Sequence, residues 1–193
     1  MIKLIASDMD GTLLDSELNI TQENIDAIRY AEAQGIEFMV ATGRNRAEAL
    51  PPLEKAGINC AMITLNGAHV FDKEGNSLFT TPLDKSEVFQ MFDILDEHGI
   101  YYEISTQIGT FTNSKESRIE HFTTHIIDAF PHLTQKAAIA MTVAHLELFP
   151  VDVAPDLREL VKQPDTEILK VICFDKRGPE FLGPAAKEIS KFE

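Results

Sequence analysis

Two aspartates, Asp8 and Asp10, stand one residue apart, directly after an apolar run and directly before Gly11. One carboxylate can attack phosphorus as a nucleophile, while a second one nearby can act as general acid and base. Carboxylate oxygens also suit Mg²⁺, which binds one or two of them together with water and phosphate. A turn at the glycine can point backbone N–H groups at an anion. This stretch therefore predicts phosphoryl chemistry that uses a divalent cation.

Two later stretches carry polar residues of a related kind. Thr42, Gly43 and Arg44 follow the second apolar run, and Asn66 follows the third. Ligands of open α/β sheets bind beyond the carboxyl ends of the strands, so these loops are expected to gather with Asp8 at one rim. The threonine hydroxyl can donate to a phosphoryl oxygen, and the arginine can bind the anionic part of a substrate. The sequence thus predicts one phosphate site built from three loops.

The elements that must position these loops alternate along the chain. The predicted order is strand 2–7, a helix from an N-cap at Thr21 to about residue 34, strand 36–41, helix 46–55 and strand 60–65. This alternation favours right-handed crossovers and a doubly wound parallel sheet. The first strand is nearly all apolar, which is typical of strands covered on both faces. Pro51 and Pro52 are expected to bend or break the second helix.

The pattern changes after residue 67, where a β-hairpin is predicted at 68–81. Beyond Pro82 we expect an α/β segment made of helix 85–98, strands 100–105 and 110–112, a helix capped by Asn113 and Glu116 that ends near residue 130, helix 155–162, strand 166–174 and a last helix that opens at Pro179. Residues 133–153 favour no single structure. The predicted domains are therefore a core part at 1–81 and an α/β insert at 82–193.

Composition limits the partners of the chain. Its 193 residues carry a net charge of −14, so the surface repels nucleic acid and anionic lipid. No apolar run reaches the length of a membrane span, and the N-terminus lacks the order of a signal peptide, so the cytoplasm is the expected compartment. Cys60 and Cys173 are interpreted as reduced core residues. His121 and His125 have the spacing of zinc-binding helices, but a solvated helix face is the preferred interpretation.

The segment Asp-Met-Asp-Gly-Thr-Leu at residues 8–13 closely resembles the first motif of the haloacid dehalogenase superfamily of phosphatases. Ala-Thr-Gly-Arg at 41–44 resembles the second motif, and the stretch 63–68 with an α/β cap after it resembles the Cof-type branch. That branch consists mainly of Mg²⁺-dependent phosphatases of sugar phosphates and related metabolites. The resemblance spans the whole chain and implies a Rossmann-like core with an inserted α/β cap domain.

The resemblance also implies a role for each matching residue. Asp8 would be the nucleophile and a metal ligand. Asp10 would be the general acid and base, and it would give its backbone carbonyl to Mg²⁺. The other matching residues would hold the phosphoryl group or lie near the substrate or the cap hinge: Met9 through its N–H, Thr42, Gly43, Arg44 and Asn66.

Two parts of the superfamily pattern are not identified in this sequence. One is a lysine in a Lys-Gly context, and the other is an acidic Gly-Asp loop that completes the metal site. Lys170 precedes an apolar strand, but it stands where the family has a cap strand. Asp152 and Asp156 are interpreted as parts of a loop and a helix N-cap rather than as metal ligands. By resemblance, we expect only the N-terminal half of the core and a cap that is incomplete at its C-terminal end.

This expectation has a consequence for the first strand. In the family fold it lies between the second strand and a fourth strand, which this chain is expected to lack. Residues 2–6 would then form an exposed apolar edge that can pair with another chain, so self-association is expected there. The chain is accordingly interpreted as a fragment of a longer protein, or as a chain whose partner supplies the rest.

The full-length protein is therefore expected to be a Mg²⁺-dependent phosphoric monoester hydrolase. It would act on a small phosphorylated metabolite through a phosphoaspartate on Asp8. Three alternatives stay open. A catalytically inactive fragment or pseudo-enzyme would bind Mg²⁺ or phosphate without turnover. Phosphoryl transfer between sugar positions is the second, although the type of cap argues against it. A structural half-domain that another chain completes is the third.

Overall fold

A computed structural model describes residues 2–192 of the chain, except for the side chains at positions 125 and 148. The chain divides into two compact units, one that runs through Thr81 and one that begins at Pro82. Each unit has a separate hydrophobic core. No helix among the described residues combines the length and the apolar character needed to cross a bilayer.

The first unit is built on a five-stranded sheet in the order β1-β2-β3-β4-β5. Its strands are β1 (Leu4–Ser7), β2 (Glu37–Ala41), β3 (Ala61–Thr64), β4 (His69–Phe71) and β5 (Ser77–Thr80). The first three strands are parallel, while β4 and β5 form the predicted antiparallel hairpin. Because Ser7 lies opposite Val40 and Ala41 lies opposite Ile63, the carboxyl ends of the parallel strands share one edge.

Helix α1 (Gln22–Ala33) connects β1 to β2, and its ends follow from local chemistry. The hydroxyl of Thr21 accepts a hydrogen bond from the Asn24 N–H at 3.3 Å, as expected of an N-cap. Ile25 and Ile28 are buried in the core of the first unit, because they lie on the helix face that meets the sheet. The α/β core with parallel strands and a crossover helix agrees with the predicted fold class.

Helix α2 (Arg46–Ala56) connects β2 to β3 and contains both prolines without a break. The expectation that Pro51 and Pro52 break the helix is therefore wrong, while the bend that they were expected to cause stays a prediction. A capping box between Asn45 and Glu48 stabilises the first turn. Buried Leu53, which lies beyond the prolines, anchors the second half of the helix in the core. These interactions offset the two backbone hydrogen bonds that the prolines cannot donate.

Within residues 2–192, strand β1 lies at an edge of this sheet and pairs with β2 alone. Leu4 is 48% exposed and Ile5 is 38% exposed. The expectation that this strand is covered on both faces is therefore wrong for the described chain. The exposed apolar edge expected from the family resemblance is present.

The second unit has a four-stranded sheet in the order β8-β7-β6-β9. The strands are β6 (Tyr102–Thr106), β7 (Thr110–Thr112), β8 (Asp152–Val153) and β9 (Ile168–Cys173). Its helices are α3 (Lys85–Glu97), α4 (Lys115–Ala129), α5 (Gln135–Leu148), α6 (Leu157–Lys162) and α7 (Pro179–Ile189). The stretch 133–153, for which the sequence favoured no structure, thus contains a helix and a short strand.

Two details of the second unit correct the sequence analysis. The N-cap of α4 is Ser114, whose hydroxyl accepts from the Ser117 N–H at 3.1 Å, so the cap predicted at Asn113 is wrong by one residue. Cys173 is exposed at the end of β9, whereas Cys60 is buried as predicted. Cys173 ends the strand at the surface, because only the first part of β9 is buried in the core of the unit.

Candidate functional site

The three predicted loops meet at the carboxyl edge of the parallel strands. The backbone N–H of Thr42 donates to the carbonyl of Ile63 at 2.9 Å. Farther along, the Asn66 N–H donates to the carbonyl of Thr42 at 3.1 Å, and the Leu65 N–H donates to the carbonyl of Arg44 at 2.9 Å. These bonds extend the β2–β3 pairing beyond the strand ends. They fix the second and third loops against each other.

The first loop turns sharply at Gly11. Asp10 (φ −77°, ψ 118°) and Gly11 (φ 72°, ψ 5°) have the dihedral angles of a type II turn. Nothing lies within 4 Å of a Cβ built on Gly11, so its positive φ, not a lack of space, is what requires glycine there. The fully buried side chain of Met9 anchors the turn in the core. The turn can therefore present backbone N–H groups at a fixed place on the edge.

Asp8 lies at the end of β1 with extended backbone, and its residue is exposed to solvent. A nucleophile must be reachable by substrate, and this position at the rim meets that requirement. The hydroxyl of Ser7 donates to the backbone carbonyl of Asp8 at 2.9 Å, so this hydrogen bond does not involve the Asp8 carboxylate.

Arg44 joins the second loop to the first through Asp10. Arg44 Nη2 lies 2.6 Å from Asp10 Oδ1, and Arg44 Nε lies 2.9 Å from Asp10 Oδ2. This is the two-pronged geometry in which a guanidinium and a carboxylate bind most strongly. The Arg44 side chain is 14% exposed, while that of Asp10 is 54% exposed. The guanidinium therefore holds a carboxylate whose far side stays open to solvent.

The third contact of Arg44 is with the backbone of α2. Arg44 Nη1 donates to the carbonyl oxygen of Glu48 at 3.2 Å. Glu48 also belongs to the capping box of α2. Its N–H donates to Asn45 Oδ1 at 2.9 Å, and the Asn45 N–H donates to Glu48 Oε2 at 3.3 Å. The start of α2 therefore forms a rigid support for the arginine.

Thr42 and the third loop complete the edge. Thr42 is buried, and its hydroxyl oxygen accepts from the Arg44 N–H at 3.2 Å, an acceptor role that does not use its own O–H. Leu65 and Asn66 have positive φ values of 51° and 59°. Asparagine tolerates this conformation, but for leucine it is strained. The burial of the Leu65 side chain and its bond to Arg44 offset this strain.

Mg²⁺ is the metal that the family resemblance implies, and the donors at this edge fit a hard cation. Asp8 would supply a carboxylate oxygen and Asp10 would supply a backbone carbonyl oxygen. The Asp10 carboxylate already binds Arg44, which agrees with a metal contact through its carbonyl instead. Within residues 2–192 as described, no group of three or more His, Cys, Asp or Glu side chains is placed to hold a metal. Water and a phosphate oxygen would fill the remaining positions.

Several residues that the sequence analysis considered lie in the second unit. Lys170 is on β9 opposite Ser105, and Asp152 is on β8. Asp156 is the N-cap of α6, as interpreted, because its side chain accepts from the N–H groups of residues 158 and 159. The carboxylate of Asp156 therefore caps a helix of the second unit. None of these three lies in the unit that carries Asp8.

The interpretation of His121 as a residue on a solvated helix face is wrong. Its half-buried ring stacks on Tyr101 with 5.2 Å between the ring centroids. Its Nδ1 atom accepts from the Lys176 N–H at 3.2 Å. The side chain of His125 lies outside the described part of the structure. His121 is therefore a packing residue of the second unit.

A buried ion pair in the second unit was not predicted. Arg118 binds the fully buried carboxylate of Glu103, which also accepts from the Tyr101 hydroxyl at 2.6 Å. Burial is the first cause that raises the pKa of Tyr101, and its bond to Glu103 acts in the same direction. Glu103 lies on β6 and Arg118 lies on α4, so this pair connects the two elements. Removing one member would leave an uncompensated buried charge.

Sequence reasoning also missed the support of Arg44. Asn45 and Glu48 have the spacing of a capping box, an Asn three residues before a Glu, and this signal was available in the sequence. The contact between Arg44 and the Glu48 carbonyl had no such signal, because it depends on where the arginine side chain points. The pair of prolines by itself predicts a bend or a break in the helix, and residue order does not show how these prolines relate to the Glu48 carbonyl.

The chain can be compared with known proteins. A family model described as haloacid dehalogenase-like hydrolase matches residues 5–192. Phosphatase YwpJ of Bacillus subtilis (strain 168) is 37% identical over 111 residues, which cover 58% of this chain and 39% of that protein. A 5-amino-6-(5-phospho-D-ribitylamino)uracil phosphatase, YcsE, from the same organism is 36% identical over 105 residues, which cover 54% of this chain and 42% of that protein.

A solved structure of a haloacid dehalogenase-like hydrolase from B. subtilis matches with a TM-score of 0.82 and 26% identity. That match covers 100% of this chain and 68% of the other. The two alignments to the curated relatives, in contrast, span about two fifths of those proteins, 39% and 42% of their length. Because the family match extends over nearly the whole chain, this protein belongs to the haloacid dehalogenase-like hydrolases, as its motifs and their Cof-type resemblance predicted.

Proposed function

We propose that the protein to which this chain belongs is a Mg²⁺-dependent phosphatase that hydrolyses a small phosphorylated metabolite. The observation that carries this proposal is the shared edge of three parallel strands, where Asp8 and Asp10 follow β1, Thr42 follows β2 and Asn66 follows β3. Membership of the family supports the reaction class. The chain spans about two fifths of the curated relatives' length, so the activity is proposed for the whole protein.

In the proposed first step, the carboxylate of Asp8 attacks the phosphorus atom of the ester. The P–O bond to the leaving group breaks, and the leaving oxygen takes a proton from Asp10. In the second step, water attacks the phosphorus of the phosphoaspartate and gives a proton to Asp10, while the bond between phosphorus and the Asp8 oxygen breaks. Inorganic phosphate leaves, and Asp8 and Asp10 return to their starting states.

The other residues of the edge position these groups. Arg44 orients Asp10 by binding both of its oxygens, and each oxygen keeps a second lone pair for a proton. The O–H of Thr42 and the backbone N–H groups of Met9 and Gly43 are proposed to hold the phosphoryl oxygens. Asn66 is proposed to lie near the substrate. Bound at Asp8 and the Asp10 carbonyl, Mg²⁺ would stabilise the negative charge of the phosphoryl group.

We further propose a sugar phosphate or a similar metabolite as the substrate class. The relative YcsE is described as acting on a phosphorylated ribitylaminouracil, and this supports a small phosphate ester as substrate. The second unit is proposed as the cap domain that selects the substrate, and the cytoplasm is proposed as the compartment. The net charge of −14 disfavours nucleic acid and anionic membranes as partners.

A second candidate is a catalytically inactive binding or structural half-domain. The exposed edge of β1 favours it, because an apolar edge strand of this kind is stabilised when another chain or segment pairs with it. Such a protein would bind Mg²⁺ or phosphate without turnover. The two candidates differ in one measurable property, the release of phosphate.

The first test is Mg²⁺-dependent hydrolysis of a chromogenic phosphate ester by the 193-residue chain. We expect Asp8→Asn to lower the rate by at least ~10³-fold, since the variant lacks the attacking carboxylate. Asp26→Asn, which changes an exposed carboxylate on α1, is the matched control and should keep full activity. Chelation of the metal should have the effect of Asp8→Asn.

Hydrolysis that survives Asp8→Asn would show that another group is the nucleophile. An inactive chain that nevertheless binds Mg²⁺ or a phosphate analogue would support the second candidate. If a longer form of the protein then shows activity that depends on Asp8, the phosphatase belongs to that longer form.

A further inference from the structure

We propose that Pro52 is a positioning residue of the candidate site, because it frees the carbonyl of Glu48 to hold Arg44. Through Arg44 it fixes the carboxylate of Asp10. The role assigned to Asp10 in catalysis rests on the proposed function, whereas the contact between Arg44 and Glu48 does not.

The first step of the argument is the geometry of Arg44. Its Nε and Nη2 atoms donate to the two oxygens of Asp10 at 2.9 and 2.6 Å, and its Nη1 atom donates to the Glu48 carbonyl at 3.2 Å. The guanidinium is planar, so a third contact on its remaining nitrogen sets the orientation of the whole group. The Glu48 carbonyl therefore helps to determine where the Asp10 carboxylate lies.

The second step is the chemistry of proline at position 52. In a regular helix the carbonyl of residue 48 accepts from the N–H of residue 52, four positions later. Pro52 has no N–H, and its ring crowds the carbonyl of residue 48. Proline thus both leaves that carbonyl without its helical donor and disfavours its alignment along the helix. Arg44 supplies the donor that the helix does not.

The third step is the rigidity of the support. The Glu48 N–H and side chain both bind Asn45 in the capping box. Buried Ala49 follows Glu48 and is packed in the core. The carbonyl of Glu48 is therefore held on both sides, so a donor that binds it acquires a fixed position.

The neighbouring proline provides the contrast. Pro51 removes the N–H that would bind the carbonyl of Ala47, and Ala47 is exposed, so water can satisfy that oxygen. The two prolines share one helix, one chemistry and adjacent positions. They differ in the carbonyl whose helical donor each one removes, and Arg44 Nη1 donates to the Glu48 carbonyl, which is the one affected by Pro52.

The experiment measures how tightly Arg44 is held in the full 193-residue chain. Rotation about the Nε–Cζ bond of a guanidinium exchanges its two Nη groups, and NMR on isotope-labelled protein gives the rate. Restoring the N–H with Pro52→Ala should let residue 52 compete for the Glu48 carbonyl. We expect rotation of Arg44 to become about fivefold faster, the scale of one modest hydrogen bond.

Pro51→Ala is the matched control, because it restores an N–H in the same helix whose regular helical partner is the carbonyl of Ala47 and not that of Glu48. Its Arg44 rotation should stay at the rate of the unchanged chain. Arg158, which Asp96 binds in the second unit, serves as an internal reference in every sample. An unchanged rate in Pro52→Ala would overturn the proposal. Equal acceleration in Pro51→Ala would overturn it too, since general softening of the helix would then be the cause.

This measurement needs no turnover and no bound ligand. If Asp8→Asn fails to abolish hydrolysis, the proposed function falls, while the rotation rates still decide the role of Pro52. If the rotation rates are equal and Asp8 is essential, only the role of Pro52 falls.

Discussion

Arg44 connects the parts of the candidate site at the scale of single residues. It binds Asp10 in the first loop, its carbonyl accepts from Leu65 in the third loop, and its side chain reaches the start of α2. Bidentate pairs of this kind are specific in geometry as well as favourable in energy. By family resemblance, Arg44 is expected near the substrate or the cap hinge. The structure adds that it organises the residue proposed to carry the proton.

The two cysteines differ in environment at the same scale. Cys60 is 4% exposed in the core of the first unit, and burial raises the pKa of its thiol to about 11. Cys173 is exposed at the end of β9, although partial burial of its sulfur also raises the pKa of that thiol. Since the thiolate is the reactive form, a raised pKa slows reaction, and lack of access slows it further.

We therefore expect a thiol reagent at about pH 8 to modify Cys173 much faster than Cys60. Mass spectrometry of peptides taken at successive times measures both rates in one sample. Cys173→Ser should leave a chain that reacts only slowly until denaturant is added. Equal rates for the two thiols in the native chain would contradict the burial described for Cys60.

At the scale of elements, the turn between β9 and α7 depends on Asp175. Its carboxylate accepts from the Arg177 N–H at 2.8 Å and from the Arg177 guanidinium at 2.7 Å. The same guanidinium reaches the carbonyl of Gly99 at 3.1 Å. These bonds fix the turn and connect it to the segment before β6. The hydrogen bond from the Arg177 side chain is the first cause that holds the pKa of Asp175 below its usual range.

A lowered folded-state pKa means that Asp175 stabilises the fold above its unfolded-state pKa. That contribution is lost as the pH falls through the folded-state pKa. We expect Asp175→Asn to lower the free energy of unfolding at about pH 6, and to differ less from the unchanged chain at about pH 3. Urea unfolding followed by circular dichroism measures this. Asp165→Asn changes an exposed aspartate and is the control. A difference that grows on acidification would have the wrong sign for this explanation.

At the scale of the whole molecule, the exposed edge of β1 and the net charge of −14 act in opposite directions. The unpaired N–H and C=O groups of β1 and the exposed Leu4 and Ile5 favour pairing with a second copy of the chain. Repulsion between two strongly negative chains opposes it, and salt screens that repulsion within about 10 Å at 0.1 M. The balance between these effects sets the oligomeric state.

We expect the 193-residue chain to self-associate through β1, and more strongly at about 1 M than at about 0.1 M salt. Sedimentation velocity measures the distribution of species. Leu4→Lys places a charge on the edge strand and should return the chain to monomers. Leu78→Lys, on the opposite edge strand β5, is the matched control. If Leu78→Lys alone abolishes association, the contact lies at β5 instead. A monomer at every salt concentration would exclude pairing through either edge.

Apolar runs and helix caps predicted much of the fold, because each of them depends on only a few neighbouring residues. The apolar runs predicted β1, β2 and β3, and Thr21 correctly marked the start of α1. Longer-range packing decided the exceptions. Burial of Leu53 keeps α2 continuous through its two prolines, and Ser114 instead of its neighbour caps α4. The stretch 133–153 gave no periodic signal, because α5 exposes apolar residues on several sides.

Residue order was sufficient to predict the family, the parallel strands and the loops of the candidate site. The motifs are read directly from the residues. The loops can be placed together because parallel strands bring their carboxyl ends to one edge, regardless of the side-chain conformations in the loops that follow. The atoms that meet at this edge could be identified only from the three-dimensional packing. Arg44 binds Asp10 and the Glu48 carbonyl because the β2–α2 loop and the first turn of the helix place them within 3.2 Å. Such contacts depend on side-chain direction and on packed neighbours distant in sequence, which residue spacing does not encode.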